Sequence, residues 1–264
     1  MTRITIAPSA VTNALLAIGV RPGSVVLVHT DAIVAAQFPA MPDEQRLDLL
    51  VDAIEAAVGR DGTLMMPAFS YSFTKGEPFD VCHSPSTVGM VTERFRTRPG
   101  VRRTSDPIFS FACIGPRAEE LCRIPVKECF GSESVFAVLH TLNAHIVFLF
   151  FLGSPLTRGG TFVHYVETAH GVDYRYKKVF SGTFISADGQ TSLCSVVYNV
   201  RDLTRRSHGD LRRLQKRLED DGKLRAAMVG RARIMAVTAT DFFDTAWKML
   251  DEDPVSLIAE GARL

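Results

Sequence analysis

The fold is decided by residues 24–70, SVVLVHTDAIVAAQFPAMPDEQRLDLLVDAIEAAVGRDGTLMMPAFS. Within this stretch, 24–30 is predicted to be a buried strand and 43–59 an amphipathic helix that ends at its glycine. GTLMMPAFS at 62–70 is predicted to be the next strand. This strand–helix–strand order predicts an α/β fold, with a mixed, largely parallel central sheet flanked by helices.

The flanking patterns predict further helices and strands. Helices are expected over 7–19, 84–98, 116–124 and 134–144, and an apolar strand over 145–153. The helix from 84 is expected to begin with Ser84 as its cap and Pro85 at its first position, and to end at Pro99-Gly100.

The C-terminal part is predicted to be a β-hairpin followed by a helical tail. Alternating residues on both sides of Asp188-Gly189 indicate the hairpin. Charges of both signs at helical spacing over 210–230 are typical of a solvated helix, and another helix is expected over 238–254. The chain is therefore predicted to be one domain, 1–264, with a helical tail over about 203–264.

Composition excludes several classes of protein. The 30 basic and 29 acidic residues, a net charge of +1, argue against a general nucleic-acid binder. No signal-peptide pattern opens the chain, and the apolar run 146–152 is shorter than the roughly 20 residues that span a bilayer. The 5 cysteines form no CxxC pair. We therefore expect reduced thiols, a cytoplasmic location and neither a membrane nor a nucleic-acid partner.

A histidine and a glutamate stand three residues apart in GGTFVHYVETAHGVDYRYKKVF, residues 159–180. If this segment is helical, His164 and Glu167 share one face, and Thr161 lies on the same face. A carboxylate beside an imidazole fixes its tautomer and raises its basicity, as a general base requires. The alternative is a surface helix with a chance polar pair. No HExxH, CxxC, GxGxxG or GxxxxGK[ST] motif indicates a metal or a common nucleotide site.

Two segments have the composition of anion sites. SPSTVG, 84–89, is predicted to open a helix, where free backbone N–H groups favour a phosphate; plain capping explains the same residues. RRTSDP, 102–107, has two arginines and two hydroxyls before a turn, and is also explained as a solvated turn. His29 and Thr30 end an early strand, where open α/β sheets bind ligands. A satisfied strand-end histidine is the alternative for His29.

Four segments, in this order, resemble the aminoglycoside 3-N-acetyltransferase family. They are LLAIGVRPGSVVLVHT (15–30), GTLMMPAFS (62–70), FDVCHSPSTVGMVTERFRTRPGVRRTSDPIFSFACIGP (79–116) and GGTFVHYVE (159–167). Residues 172–258 look like the C-terminal part of the family, so the resemblance covers nearly the whole chain. It implies an α/β fold distinct from GNAT acetyltransferases. It also implies transfer of acetyl from acetyl-coenzyme A to an amine of an amino sugar, without a metal.

The resemblance also assigns site residues. His164 matches the general base, Glu167 the acidic residue of the same motif, and Thr161 the threonine near the reacting thioester. Further residues match positions that contact the coenzyme: His29, Thr30, Asp31, Ala32, Ser86, Val88, Gly89, Arg103, Thr104 and Ser110. Three positions depart from the family pattern, because Thr30 and Asp31 stand where two serines are common and Asp106 stands where histidine is usual.

The function expected from this resemblance is direct acetyl transfer in a ternary complex, with His164 as the base. The first substrate preference is a nucleotide-linked or glycan amino sugar, because GVDYRYKKVFSG (171–182) looks like members from sugar pathways. The alternative is aminoglycoside 3-N-acetylation that confers antibiotic resistance. A non-catalytic coenzyme A-binding protein and a cysteine-nucleophile acyltransferase are ranked below both. The oligomeric state is left open between monomer and homodimer.

Overall fold

The computed structural model describes residues 5–150, 156, 160–205 and 207–259. The helices are α1 Pro8–Ala17, α2 Asp43–Val58, α3 Met90–Arg96, α4 Ala118–Cys122, α5 Val135–Thr141, α6 Val163–His170, α7 Arg212–Asp220 and α8 Ala239–Glu252. The strands are β1 Val25–Thr30, β2 Thr63–Pro67, β3 Phe79–Asp80, β4 Arg102–Arg103, β5 Phe111–Ile114, β6 His145–Phe150, β7 Arg175–Ile185, β8 Thr191–Arg201, β9 Arg225–Val229 and β10 Ala232–Thr238. Short 3-10 helices cover Ala32–Gln37 and Ser72–Lys75.

Seven strands form the central sheet, in the order β4-β5-β2-β1-β6-β10-β9. β1 pairs in parallel with β2 and β6, and every other adjacent pair in this sheet is antiparallel. The mixed α/β architecture is confirmed. The sheet is less parallel than expected, because parallel pairing is limited to the three central strands. A smaller sheet, β3-β7-β8, contains the predicted hairpin.

Alternation along the central strands divides the core between the two faces of the sheet. In β1, Val26 and Val28 pack into the cluster formed with α1, α2 and α3, whereas Leu27 packs into the opposite cluster. Ile146 and Phe148 of β6 join Leu27 in that second cluster, together with residues of α5, α6 and α8. Burial on both faces explains why these strands are almost continuously apolar.

The tail predicted to be helical contains two strands as well as two helices. Helix α7 ends near Gly222, whose φ is +68°, and the chain then forms β9 and β10 around Gly230, whose φ is +59°. Both strands extend the central sheet beside β6. Helix α8 is where the tail prediction placed a helix, and the Thr238 hydroxyl caps it by accepting the Asp241 N–H.

The helix predicted from Ser84 begins instead at Met90. The Ser84 hydroxyl accepts the N–H of Asp80 at 2.8 Å, so it closes a preceding turn and does not cap a following helix. Gly89, at φ +148°, precedes the first helical residue.

The strand predicted over 145–153 is observed over His145–Phe150, and 151–153 lie outside the described residues. Among the described residues, no helix is long and apolar enough to cross a membrane.

Candidate active site

The predicted coenzyme residues lie at the carboxyl edge of the parallel strands, at the end of β1 and around the segment that follows β2. β1, β2 and β6 end at this edge, and antiparallel β5 begins there because Phe111 pairs with Pro67. The loop before β5 therefore lies beside the ends of β1 and β2. Crevices at such an edge are the usual ligand sites of open α/β sheets.

Helix α6 presents His164 and Glu167 on one face, as their spacing predicts. Nδ1 of His164 lies 2.8 Å from Oε2 of Glu167. The Glu167 side chain is 1% exposed and that of His164 is 25% exposed, so the carboxylate is enclosed while the imidazole is largely buried and keeps partial access to solvent. The Phe130 ring and the imidazole pack in a T-shaped arrangement, with 5.3 Å between their centroids.

Two residues that sequence reasoning missed complete this group. The Tyr174 hydroxyl donates to Oε1 of Glu167 at 3.0 Å. Arg175, at the start of β7, places Nε 2.7 Å from Oε2 of Glu167 and Nη2 2.8 Å from Nδ1 of His164. The buried carboxylate is thus contacted by an imidazole, a phenol and a guanidinium. A buried glutamate needs such partners, and Gly171, which ends α6 at φ +80°, turns the chain back to provide them.

The surroundings favour a neutral His164 and an ionised Glu167. Burial and the charge of Arg175 lower the pKa of His164, although its bond to Glu167 opposes this shift. Burial alone would raise the pKa of Glu167, but the bond to His164, the charge of Arg175 and the Tyr174 hydroxyl together lower it. A neutral imidazole beside an ionised carboxylate is the state that a general base requires at neutral pH.

The nitrogen Nδ1 of His164 therefore faces an acceptor and a donor. With its proton on Nδ1, the ring donates to Glu167 and leaves the Nε2 lone pair for a substrate. With its proton on Nε2, the ring accepts from Arg175. Among the described residues none bonds Nε2, so in the first tautomer this atom is the one left to receive a proton.

Thr161 lines a small cavity with this pair. The cavity has a volume of about 140 Å³, and Gly160, His164 and Glu167 also line it. A Cβ at Gly160 would lie 2.4 Å from the carbonyl oxygen of Leu156, so the tight turn into α6 requires glycine. Thr161 accepts the His164 N–H through its carbonyl oxygen at 3.1 Å.

The end of β1 carries two buried polar atoms without partners among the described residues: Nε2 of His29 and Oγ1 of Thr30. His29 stacks on Phe148 at 5.5 Å, and its burial lowers its pKa to about 3. Asp31 accepts the N–H of Ile33 and starts the 3-10 helix, whose first residue is Ala32. Unpaired buried polar atoms are costly, so their presence at a ligand edge suits a bound polar group.

The second predicted coenzyme segment is a fixed loop and not a helix start. The Ser86 N–H donates to Oε2 of Glu93 at 2.7 Å, and the Ser86 hydroxyl accepts the N–H of Val88. Thr87 binds the Phe69 carbonyl through both its N–H and its hydroxyl. The loop, including Gly89, lines an open cavity of about 610 Å³.

The third predicted group is buried and internally bonded. Arg103 donates to Oγ of Ser110 at 3.0 Å and to the carbonyls of Ser84 and Ala68. Oγ1 of Thr104 accepts the Phe111 N–H at 2.8 Å. Burial lowers the pKa of Arg103 to about 10. These bonds hold the loop at 84–89 against the end of β2 and the start of β5. Arg103 therefore stabilises the edge of the sheet where the coenzyme is predicted to bind.

Asp106, which stands where the family pattern usually has histidine, organises the loop before β5. Its Oδ1 accepts the N–H groups of Ile108 and Phe109 at 2.8 and 2.9 Å, and Sγ of Cys129 lies 3.6 Å from it. Burial raises the pKa of Asp106.

Within the described ranges, no group of three His, Cys, Asp or Glu side chains could hold a metal ion.

Comparison with known proteins identifies the family. Residues 27–251 match the profile of the aminoglycoside 3-N-acetyltransferases. The chain belongs to this family. Aminoglycoside N(3)-acetyltransferase IV of Salmonella is 31% identical over 245 residues, 91% of this chain and 86% of the relative. Aminoglycoside N(3)-acetyltransferase VIII of Streptomyces fradiae is 28% identical over 176 residues, 58% of this chain and 57% of the relative.

Solved structures of the family share the fold. Aminoglycoside acetyltransferase AAC(3)-IVa, as apoenzyme, superposes with a TM-score of 0.77 at 27% identity, covering 98% of this chain and 94% of that one. A histidine-to-alanine mutant of AAC(3)-IVa in complex with a gentamicin gives 0.75 at 26% identity, covering 98% and 93%. As a member of this family, the chain is an acetyl-coenzyme A-dependent N-acetyltransferase, and acetyl-coenzyme A is its co-substrate.

Proposed function

We propose that this enzyme transfers acetyl from acetyl-coenzyme A to the 3-amino group of an aminoglycoside, with His164 as general base. The observation that carries the proposal is the His164–Glu167 contact of 2.8 Å, in which the enclosed carboxylate engages Nδ1 and leaves Nε2 for an amine. The family's aminoglycoside relatives support this substrate better than the nucleotide-linked or glycan amino sugar that the sequence favoured.

The proton chemistry follows from the charges around His164. An amino group of the substrate reaches the site as ammonium at neutral pH and must lose a proton before its nitrogen attacks. Nε2 of His164 accepts that proton, and the ionised Glu167 stabilises the resulting imidazolium through Nδ1–H. General base catalysis of this kind contributes about 10²–10⁴-fold to rate.

The coenzyme is proposed to lie along the carboxyl edge of the sheet. Bound there, it supplies the acetyl group as an activated thioester. Nε2 of His29 and Oγ1 of Thr30 are the polar atoms available to it at the end of β1. Thr161 lines the small cavity with His164, and we propose that its hydroxyl donates to the developing oxyanion. Arg103 is proposed to support coenzyme binding indirectly, because it holds the loop at 84–89 in place through the Ser84 carbonyl.

The substrate is tested by thiol release from acetyl-coenzyme A with two sets of amines. Gentamicin and apramycin form one set, and nucleotide-linked amino sugars form the other. The proposal expects release with the aminoglycosides and a product acetylated at the 3-amino group by NMR. Release with the nucleotide sugars alone would overturn it, as would silence across both sets while acetyl-coenzyme A still raises the melting temperature.

A further inference from the structure

Tyr71 has a backbone conformation that few bulky residues adopt. Its φ is 56° and its ψ is 24°, in the left-handed region. A residue with a large side chain is a steric outlier there. In the described part of the chain, the other non-glycine residue with a positive φ is Asn143, and asparagine tolerates this region. Residues held in such conformations cluster at active and ligand sites, which singles out Tyr71.

Neighbouring residues hold Tyr71 in this conformation from both sides. Its carbonyl oxygen accepts the N–H of Thr74 at 3.1 Å and the hydroxyl of Thr74 at 2.7 Å. On the preceding side, the Ser70 carbonyl accepts from Nζ of Lys75 at 2.9 Å, and the Ser70 hydroxyl donates to the Pro107 carbonyl at 3.1 Å. The fold therefore stabilises a backbone conformation that the tyrosine itself disfavours.

A continuous series of aromatic rings joins Tyr71 to His164. Tyr71 follows the carboxyl end of β2, at Pro67, and its ring packs against Phe109 with 5.6 Å between centroids. Phe109 contacts Phe130 at 4.7 Å, and Phe130 contacts His164 at 5.3 Å. Tyr71 thus belongs to the same wall of rings as the proposed general base.

The phenol hydroxyl of Tyr71 is open to a ligand. The side chain is half-buried, and no described residue forms a hydrogen bond with this hydroxyl. Burial raises the pKa of Tyr71 to about 12, with a further contribution from the Tyr198 phenol. At neutral pH the group is therefore an uncharged phenol, which can both donate and accept a hydrogen bond. A tyrosine hydroxyl usually has a partner when the ring is buried, and here that partner is expected to be a ligand.

We propose that Tyr71 is a specificity-determining residue, whose hydroxyl forms a hydrogen bond with a hydroxyl or ammonium group of the aminoglycoside near the amine that reacts at His164. This inference rests on the proposed function and adds a substrate contact to the same site. It also accounts for the strained backbone, because strain at a ligand contact is maintained by the surrounding structure and not by the residue itself.

The test measures steady-state kinetics with gentamicin and acetyl-coenzyme A for Tyr71→Phe. Phenylalanine keeps the ring and its packing and removes only the hydroxyl. We expect the KM for gentamicin to rise about two- to tenfold, as for the loss of one hydrogen bond, with the KM for acetyl-coenzyme A and the melting temperature unchanged. Tyr176→Phe makes the same chemical change at an exposed tyrosine of β7 and should leave all three quantities unchanged.

A second variant tests whether the held backbone serves this contact. Thr74→Val keeps the shape of an exposed side chain but removes the hydroxyl that binds the Tyr71 carbonyl. We expect it to raise the KM for gentamicin as well. The double variant should be little worse than Tyr71→Phe alone, because both changes act through one contact.

The outcomes separate this inference from the proposed function. An unchanged KM for gentamicin in a folded Tyr71→Phe enzyme would overturn the inference alone, because it would assign Tyr71 to packing. Effects of the two variants that multiply in the double variant would also overturn it. Absence of thiol release with any aminoglycoside in the wild type would overturn the proposed function and this inference together.

Discussion

Nη2 of Arg175 lies 2.8 Å from Nδ1 of His164, the same nitrogen that Oε2 of Glu167 approaches at 2.8 Å. Arg175 also pairs with that carboxylate oxygen, and its side chain is 5% exposed. One buried guanidinium therefore keeps Glu167 ionised and disfavours protonation of His164. We infer that Arg175 is a positioning residue that acts through both members of the pair.

Replacement of Arg175 by glutamine should move the acid limb of the kcat/KM profile to higher pH. His164 must be unprotonated to accept a proton, and Arg175 lowers its pKa, so removal of the cation raises the pH at which activity appears. Arg175→Lys retains a cation and should restore the wild-type limb. Arg201→Gln, at the position opposite Arg175 in the hairpin register, is the matched control. A folded Arg175→Gln enzyme with an unmoved limb would contradict this role.

Loss of the Tyr174 hydroxyl should destabilise the fold more than it slows the reaction. Tyr174→Phe removes a bond to a buried charged carboxylate, and such bonds contribute about 1.5–3 kcal/mol. His164 and Arg175 still hold Glu167, so kcat should change little. Urea unfolding and steady-state kinetics on the same preparation measure both quantities. A large fall in kcat with unchanged stability would indicate direct contact between Tyr174 and the substrate.

The contrast between His164 and Arg175 shows what could be predicted from sequence. The His164–Glu167 contact follows from helical periodicity, which is local. Arg175 and Tyr174 reach Glu167 only because Gly171 reverses the chain into β7, and no periodic pattern encodes that reversal. The sequence predicts only that Glu167 shares a helix face with His164, and nothing in that spacing indicates that the carboxylate is buried and needs further partners.

The misassigned elements have local causes as well. Ser84-Pro85 has the composition of a helix start, but Asp80 accepts the N–H groups of Cys82 and His83 and stabilises a turn there. In the tail, β9 is an edge strand with the sequence RAAMV, in which only Val229 is buried; its arginine, alanines and methionine are good helix formers, so it continues the helical pattern of α7. Helix α2 was predicted to its boundaries because its apolar periodicity and Gly59 agree.

Burial of His29 should make stability depend on pH. Its pKa is about 3 in the folded chain against 6.5 when solvated. The free energy of unfolding therefore keeps its full value with respect to this group above pH 6.5 and decreases as pH falls toward 3, because the unfolded chain binds the proton first. The shift corresponds to about 5 kcal/mol. His29→Gln should flatten the decline in unfolding free energy over this range, measured by urea titration at successive pH values. An unchanged slope would contradict burial of the neutral imidazole.

Arg103→Lys distinguishes a structural role of Arg103, which holds the loop at 84–89, from direct contact with a coenzyme phosphate. Lysine cannot reach the three acceptors that hold the guanidinium, so we expect a loss of about 1–3 kcal/mol in stability. The KM for acetyl-coenzyme A should rise with little dependence on salt, because the effect passes through the loop. Arg102→Lys, on the same strand and exposed, should stay within about 0.5 kcal/mol of wild type. Intact stability with a salt-dependent KM would instead indicate direct phosphate binding by Arg103.

The central claim is that Nε2 of His164 takes the proton of the attacking amine. It is tested most directly by the turnover number of His164→Ala with acetyl-coenzyme A and gentamicin, beside His170→Ala, a histidine at the end of the same helix that pairs with Asp251. The account predicts a fall of about 10²–10⁴-fold in kcat for His164→Ala, with coenzyme binding retained and His170→Ala near wild type. Near-normal turnover by His164→Ala would contradict it.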